Sequence, residues 1–302
     1  MENRLLIVGS VAYDNIRTPV DSVEWALGGS ASYAALASSF FAPTSVCGIV
    51  GGDFKDSDMA RLARRGTDVS DIEVDPAGET FFWSGMYHDN FSSRESLETR
   101  VNVYENYVPK LGESSRSAEF LLLGNIGPDV QKCALDSMKS DPFVILDTMD
   151  LWIEIANSPL RELVKRADIF VVNDSEAKKL SGERNIIRAG EELLRMGAKS
   201  AIVKAGEYGA MLFHLDGFFA VPAYPVRELR DPTGAGDTFA GALAGVLASR
   251  GQTGFRQIRE AMVTAAAAAS MTVESFSSDK LEEAGLGEIL RRAEYVRKIS
   301  EI

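Results

Sequence analysis

Histidine and cysteine are scarce in this sequence, and their positions argue against several kinds of site. The two histidines, His88 and His214, lie far apart and match neither the spacing of metal ligands nor that of a nucleophilic triad. The two cysteines, Cys47 and Cys133, both lie in apolar surroundings, which argues against a disulfide framework and against a zinc site. We therefore expect a protein suited to a reducing cytoplasm.

Basic residues are also in short supply. The chain has 32 Lys and Arg against 44 Asp and Glu, which gives a formal net charge of -12 at pH 7. Nucleic-acid binding normally needs a clustered basic face, so we expect no nucleic-acid partner. An anionic small molecule would have to be bound by a local arrangement of donors.

Long apolar runs are absent as well. The apolar stretch near the N-terminus is too brief for a signal peptide and is interpreted as a first strand. The alanine-rich run of residues 261–273 is shorter than the roughly 20 residues that a membrane span requires. We expect a soluble protein with no membrane partner.

Short apolar runs do recur along the chain, with helical segments between them. Their continuous apolar character predicts a mostly parallel sheet that is buried on both faces, in a doubly wound α/β fold. Asp216 and Gly217 join two further short runs and predict a hairpin, and so an antiparallel edge. The strand-like runs are LLIVG from Leu5, SVCGIVG from Ser45, FLLLGN from Phe120, FVILD from Phe143, DIFVVN from Asp168 and AIVKAG from Ala201.

The segment 78–108 has a different pattern. It contains strand-like runs rich in aromatic and β-branched residues, including Trp83 and Tyr87, with no helix between them. Together with residues 11–20, these strands predict a small sheet apart from the main one, although an edge extension of the core sheet fits equally well. No repeat or linker is present, so we expect the small sheet to be an insertion within a single domain over residues 1–302.

The stretch RDPTGAGDTFAGALAG, Arg230–Gly245, combines bare backbone with an acidic side chain. Asp237 lies in the first turn of a predicted helix, after Gly234, Ala235 and Gly236. Because a helix N-terminus exposes N–H groups and a partial positive charge, this stretch can bind a phosphate closely. The simpler alternative is a tight turn whose aspartate is favoured by the helix dipole.

Two known phosphate-binding loops do not fit this stretch. A Walker loop would need Lys followed by Ser or Thr after the second glycine, where Asp237 and Thr238 stand. A dinucleotide fingerprint would follow an apolar strand and would place glycine where Phe239 stands. An acid beside an anion site suits a reaction in which a hydroxyl loses its proton while attacking a phosphate, which favours Asp237 as a general base.

The motif DPTGAGDTFAGALAG resembles the C-terminal signature of the ribokinase-like (PfkB) carbohydrate kinases. Further matches keep the order of that family over nearly the whole chain. They are LGGSASYAALA from Leu27, VGGDFKDSDMARLARRGTDVSDI from Val50, NDSEA from Asn173 and VKAGEYGAML from Val203. The resemblance implies a ribokinase-like fold with a small β-sheet lid, ATP as phosphoryl donor and a Mg²⁺ requirement.

The resemblance also implies roles around the phosphate. Asp237 would activate the acceptor hydroxyl, and the backbone amides beside it would form an anion hole. Thr233 and Gly234 would shape the turn on the nucleotide side. Lys204 and Gly206 would end a strand that faces ATP, although Lys204 could equally be a solvated lysine.

The metal and acceptor sites follow from the other motifs. Asn173 and Glu176 would lie near magnesium, with an N-cap pair as the alternative. The resemblance places Asp14, Gly28 and Gly29 at the acceptor, with a loop acid and a simple turn as the alternatives. The sequence departs from the family where Tyr33 replaces an asparagine that often touches the sugar, which puts ribose or a simple hexose in doubt.

These features predict an ATP-dependent phosphotransferase that acts on a small sugar or polyol. A nucleoside kinase of the same family is the alternative, and a homodimer through the lid is one state that the resemblance allows. A catalytically silent ligand-binding protein is also possible in principle, because fold does not fix function. Retention of Asp237, Asn173 and Glu176 argues against it.

Overall fold

The computed structural model describes residues 4–88, 91 and 93–300, and in these ranges it contains thirteen strands and eleven α-helices. The strands are β1 Leu5–Val8, β2 Ala12–Arg17, β3 Ser22–Gly28, β4 Thr44–Gly51, β5 Asp68–Asp75, β6 Phe81–Tyr87, β7 Arg94–Arg100, β8 Phe120–Leu123, β9 Phe143–Asp147, β10 Ile169–Asn173, β11 Ser200–Lys204, β12 Ala210–His214 and β13 Gly217–Val221. The helices are α1 Ser30–Ser38, α2 Asp56–Ala63, α3 Pro128–Asp136, α4 Asp150–Ile155, α5 Asn157–Val164, α6 Asp174–Ser181, α7 Ile186–Arg195, α8 Ala235–Arg250, α9 Phe255–Thr272, α10 Asp279–Glu283 and α11 Leu286–Ser300.

The main sheet of the described residues has nine strands in the order β13-β12-β11-β10-β9-β8-β1-β4-β5. The pairings from β5 to β11 are parallel, whereas β11–β12 and β12–β13 are antiparallel. The six apolar runs and the hairpin are therefore confirmed as strands. Strand β5, at one edge, was not predicted, because its alternating polar sequence differs from the buried runs.

Apolar side chains cover both faces of this sheet. In β1, Leu5 and Ile7 pack into one hydrophobic cluster, which also contains the apolar residues of α1, α8 and α9. Leu6 and Val8 of the same strand pack into a second cluster on the opposite face. Because successive side chains of a strand point to opposite faces, a continuous apolar run requires two layers of helices. The fold is the predicted doubly wound one.

The small sheet is separate from the main sheet and has the order β3-β2-β6-β7 within the described residues. The alternative of an edge extension is therefore wrong. Strand β3, Ser22–Gly28, lies outside the two segments assigned to the small sheet, whereas β6 and β7 both lie within the segment 78–108. Strand β7 ends at Arg100. Shortly after it, Asn102 adopts φ 50, and the side-chain amide of Asn102 donates to the carbonyl of Thr80 (2.8 Å).

The alanine-rich segment 261–273 belongs mainly to α9, which packs against α8 and α11 in the core. Among the helices of the described residues, none is long and apolar enough to span a bilayer.

Candidate active site

The site is built around the N-terminus of α8, where glycines bring the backbone close to other groups. Gly234 caps the helix with φ 75, and a methyl group there would lie 2.4 Å from the ring of Tyr33. Before it, the amide of Thr233 donates to Asp231 (2.9 Å), and the Thr233 hydroxyl donates to the hydroxyl of Tyr87 (3.0 Å). This turn therefore joins α8 to α1 on one side and to the small sheet on the other.

Asp237 lies in the first turn of α8 and is half-buried. Burial and the negative charge of Asp147 raise the pKa of Asp237 to about 7, although Lys204 and Arg94 act in the opposite direction. A carboxyl that titrates near neutrality is suited to accept a proton and later to release it.

Lys204 lies at the end of β11, directly beside the turn. Its Nζ atom is 3.1 Å from Oδ2 of Asp147, and it lies 2.9 Å from the place where a Cβ on Gly236 would be. Burial lowers the pKa of Lys204, but Asp147, Glu176 and Asp237 outweigh this and the net shift is upward. The charged ammonium group therefore lies against the start of α8.

Asn173 and Glu176 form a capping box at the start of α6. The Glu176 amide donates to Oδ1 of Asn173 (2.8 Å), and the Asn173 amide donates to Oε2 of Glu176 (2.7 Å). Burial raises the pKa of Glu176 to about 7, partly offset by Lys204. Asn173 and Glu176 therefore do form the N-cap pair that was the alternative to a metal site. No cluster of three or more His, Cys, Asp or Glu suited to a metal occurs among the residues described.

Asp14 lies on β2, facing the turn from the small sheet. Its carboxylate is in contact with Gly28, where a Cβ would lie 2.0 Å from Oδ2. Burial raises the pKa of Asp14 to about 8, and the charges of Asp231 and Asp237 add to the rise while Arg94 opposes it. Gly28 therefore makes room for a buried acid.

Two glycines that were predicted to lie in the site, Gly29 and Gly206, both have positive φ angles. Gly29 has φ 92, and a Cβ there would lie 2.4 Å from the carbonyl oxygen of Ser10, so its glycine is required by the packing of the chain. Gly206 has φ 56 with no atom within 4 Å of a Cβ position among the described residues. It needs glycine for its backbone conformation.

Sequence reasoning missed three charged residues of this site. Asp147 ends β9 at the same carboxyl edge as Asn173 and Lys204, a position that the strand run FVILD could have revealed. Asp231 precedes the glycine turn, and burial raises its pKa to about 6. Arg94 lies on exposed strand β7, where no sequence signal indicated it.

Arg94 is the cation that the small sheet contributes. Its guanidinium lies over the ring of Trp83 (5.3 Å to the centroid) and is hydrogen-bonded to the hydroxyl of Tyr87. It lowers the pKa of Asp14 and of Asp237. The small sheet and the main sheet thus face each other across a cluster of acids with Arg94 and Lys204 beside it.

Comparison with known proteins shows the family of the chain and the similarity of its fold. The model of the pfkB family carbohydrate kinases matches residues 2–284. The cytidine kinase of Thermococcus kodakarensis is 30% identical over 259 residues, which are 82% of this chain and 89% of that protein. The ribokinase of Cryptococcus neoformans, solved with ADP, has a TM-score of 0.79 at 18% identity and covers 96% of this chain and 99% of its own. The nucleoside kinase of Methanocaldococcus jannaschii has a TM-score of 0.77 at 19% identity. The match covers 98% of this chain and 99% of that protein.

Proposed function

Because the chain belongs to the pfkB family of carbohydrate kinases, we propose that it transfers the γ-phosphoryl group of ATP to a hydroxyl of a small sugar, polyol or nucleoside. Asp237 is the general base of this reaction. The observation that carries the proposal is the position of Asp237 in the first turn of α8, with a pKa of about 7. At neutral pH a large fraction of this carboxyl is ionised and able to accept a proton.

The reaction is an in-line displacement. The acceptor oxygen attacks the γ-phosphorus as Asp237 takes its proton, and the bond from phosphorus to the β–γ bridging oxygen breaks to release ADP. The amides of Ala235, Gly236 and Asp237 stabilise the charge on the transferring group. The Ala235 amide also makes a long bond to the carbonyl of Pro232 (3.3 Å), and the Asp237 amide donates to its own carboxylate, so the Gly236 amide carries most of this role.

Lys204 adds a fixed positive charge beside these amides. Asp147 holds its ammonium group against Gly236, which keeps the cation next to the phosphate and away from solvent. Because the surroundings are strongly acidic, a phosphate needs this local cation to approach.

Asn173 and Glu176 fit a magnesium site of the water-mediated kind. The capping box uses one carboxylate oxygen of Glu176, Oε2, and leaves Oε1 available. Magnesium favours oxygen ligands and keeps several waters, so a single carboxylate with an amide oxygen nearby can hold it. When bound, Mg²⁺ neutralises charge on the phosphates.

The small sheet acts as the lid of the acceptor pocket in this proposal. It presents Asp14, Trp83, Tyr87 and Arg94 towards the start of α8. Within the acceptor class, the cytidine kinase relative favours a nucleoside as the second candidate. The same lid could serve as the contact of a homodimer, which the oligomeric state in solution would test.

The experiment is a screen for ATP-dependent phosphorylation of sugars, inositols and nucleosides, followed by kinetics of Asp237→Asn. We expect kcat to fall by about 10²–10⁴-fold, the contribution of a positioned general base, while MgATP still binds. Asp174→Asn is the matched control, because Asp174 also lies in the first turn of a helix, α6, and its carboxylate pairs with Lys178. A near-normal kcat with a lowered melting temperature in Asp237→Asn would contradict the proposal.

A further inference from the structure

The hydroxyl group of Tyr33 is buried without a partner. Tyr33 lies on α1 with its side chain 2% exposed, and its ring packs against Gly234 at the start of α8. No described residue makes a hydrogen bond to this hydroxyl. A buried hydroxyl without a partner costs roughly 1–3 kcal/mol, so its presence calls for a ligand or a water that satisfies it.

The surroundings of this hydroxyl are those of the acceptor side of the site. Burial raises its pKa well above the ordinary value, and the charges of Asp14, Asp231 and Asp237, together with Tyr87, raise it further. These groups come from the small sheet and from the turn before α8. Because the ring of Tyr33 also packs on Gly234, the hydroxyl lies near the start of α8.

A second buried group in the same place also lacks a partner. The carboxyl of Asp231 is on a residue that is 0% exposed, and no described residue makes a hydrogen bond to its Oδ2 atom. A phenol can donate one hydrogen bond, and a carboxylate can accept several. One group that satisfies both at once must accept from Tyr33 and donate to an acid.

We propose that Tyr33 is a specificity-determining residue, whose hydroxyl donates a hydrogen bond to an uncharged hydroxyl of the phosphoryl acceptor. That acceptor hydroxyl in turn donates to a neighbouring carboxylate. A carboxylate or phosphate on the acceptor could accept from Tyr33, but it has no proton to donate to Asp231, and Asp231, whose pKa is about 6, repels it at neutral pH. The acceptor class is thus a neutral polyhydroxyl compound. This inference rests on the proposed function.

The test is a cycle of two deletions, one on the enzyme and one on the acceptor. Tyr33→Phe removes only the hydroxyl, and monodeoxy analogues of the acceptor found in the screen remove one hydroxyl at a time. We expect Tyr33→Phe to raise the acceptor KM about 5- to 10-fold, with the ATP KM and kcat nearly unchanged. With the wild-type enzyme, the KM of one monodeoxy analogue should exceed that of the full acceptor by a similar factor. With Tyr33→Phe, the two compounds should have the same KM.

Tyr104→Phe provides the control for a purely structural tyrosine. Its hydroxyl donates to the carbonyl of Gly9 (3.1 Å) and accepts from the amides of Val11 (3.0 Å) and Ile49 (3.2 Å). We expect this variant to lose melting temperature and to keep the wild-type acceptor KM. Tyr33→Phe should show the reverse, with a melting temperature equal to or above that of the wild-type protein.

Two outcomes separate the inference from the proposed function. In the first outcome, the wild-type enzyme is active, and removing each acceptor hydroxyl raises KM by the same factor with Tyr33→Phe as with the wild-type enzyme. The Tyr33 inference is then overturned and the kinase function stands. If the wild-type enzyme phosphorylates no acceptor, the proposed function fails. In that case, calorimetric binding of the same neutral compounds to both proteins decides the role of Tyr33, and equal affinities would overturn it.

Discussion

The ammonium group of Lys204 and the carboxylate of Asp147 form a buried ion pair, with Nζ 3.1 Å from Oδ2. The pair joins the ends of two parallel strands, β9 and β11, and places the cation beside Gly236. Breaking a buried pair by removing one partner leaves an uncompensated charge. Asp147 is therefore a positioning residue for Lys204 and also acts on the charge of Asp237.

Asp147→Asn should change the pH profile as well as the rate. The Asp147 charge raises the pKa of Asp237, so its removal lowers that pKa. A general base acts when deprotonated, and the acidic limb of kcat/KM should move from near pH 7 to lower pH. We expect kcat to fall roughly 10-fold or more as Lys204 loses its partner. An unshifted acidic limb, measured from pH 5 to 9, would contradict this role.

Arg94→Met should move the same limb in the opposite direction. Arg94 lowers the pKa of Asp237, so its loss raises that pKa and moves the acidic limb to higher pH. Arg100→Met is the matched control, because Arg100 lies at the other end of β7 over the ring of Phe82 (4.2 Å). Identical pH profiles for the two variants would show that Arg94 does not act on the site.

Glu176→Gln should separate a metal role from a capping role. Glutamine keeps an oxygen that can accept from the Asn173 amide, so we expect little change in melting temperature. We expect the activity to fall and to recover partly at high Mg²⁺, because a neutral oxygen is the weaker ligand. Asp174→Asn on the same helix should leave the Mg²⁺ dependence unchanged. An unaltered Mg²⁺ titration of Glu176→Gln would favour the capping role alone.

Asp14→Asn should flatten the dependence of stability on pH. The folded-state pKa of Asp14 is about 8, far above its ordinary value of 3.8, so its contribution to stability is present at low pH and is lost as pH rises through 8. The slope from one such group is at most about 1.4 kcal/mol per pH unit. We expect the ligand-free variant to match the wild-type protein at pH 4 and to melt higher at pH 8. Parallel melting curves across this range would be contrary to a buried, protonated Asp14.

The sequence determined the layers of the fold and much of the site. Continuous apolar runs require burial on both faces of a sheet. These runs, with the helical segments between them, predict β1, β4 and β8–β11. The bare glycine turn before Asp237 marks a helix start that can receive an anion, because that property is local to a few residues. These features depend on short stretches of chain, so they can be inferred without coordinates.

Other features were decided by tertiary structure. Strand β3 was missed because it joins the small sheet only through its pairing with β2, a contact that its own residues do not reveal. Gly29 needs glycine because of the Ser10 carbonyl, a contact that no local pattern encodes. Asn173 and Glu176 fit both a cap and a metal ligand by spacing, and only coordinates show that the capping box is formed.

The charges of the site depend most on tertiary structure. Asp14, Asp147, Arg94 and Lys204 are distant in sequence, and their pKa shifts arise from burial and from each other's charges. Such interactions act over a few ångströms and are invisible in a linear pattern. The sequence alone therefore determined most strands of the main sheet and the identity of the proposed base. The folded chain decided which charges surround that base, because only folding brings strand ends and the small sheet to the start of α8.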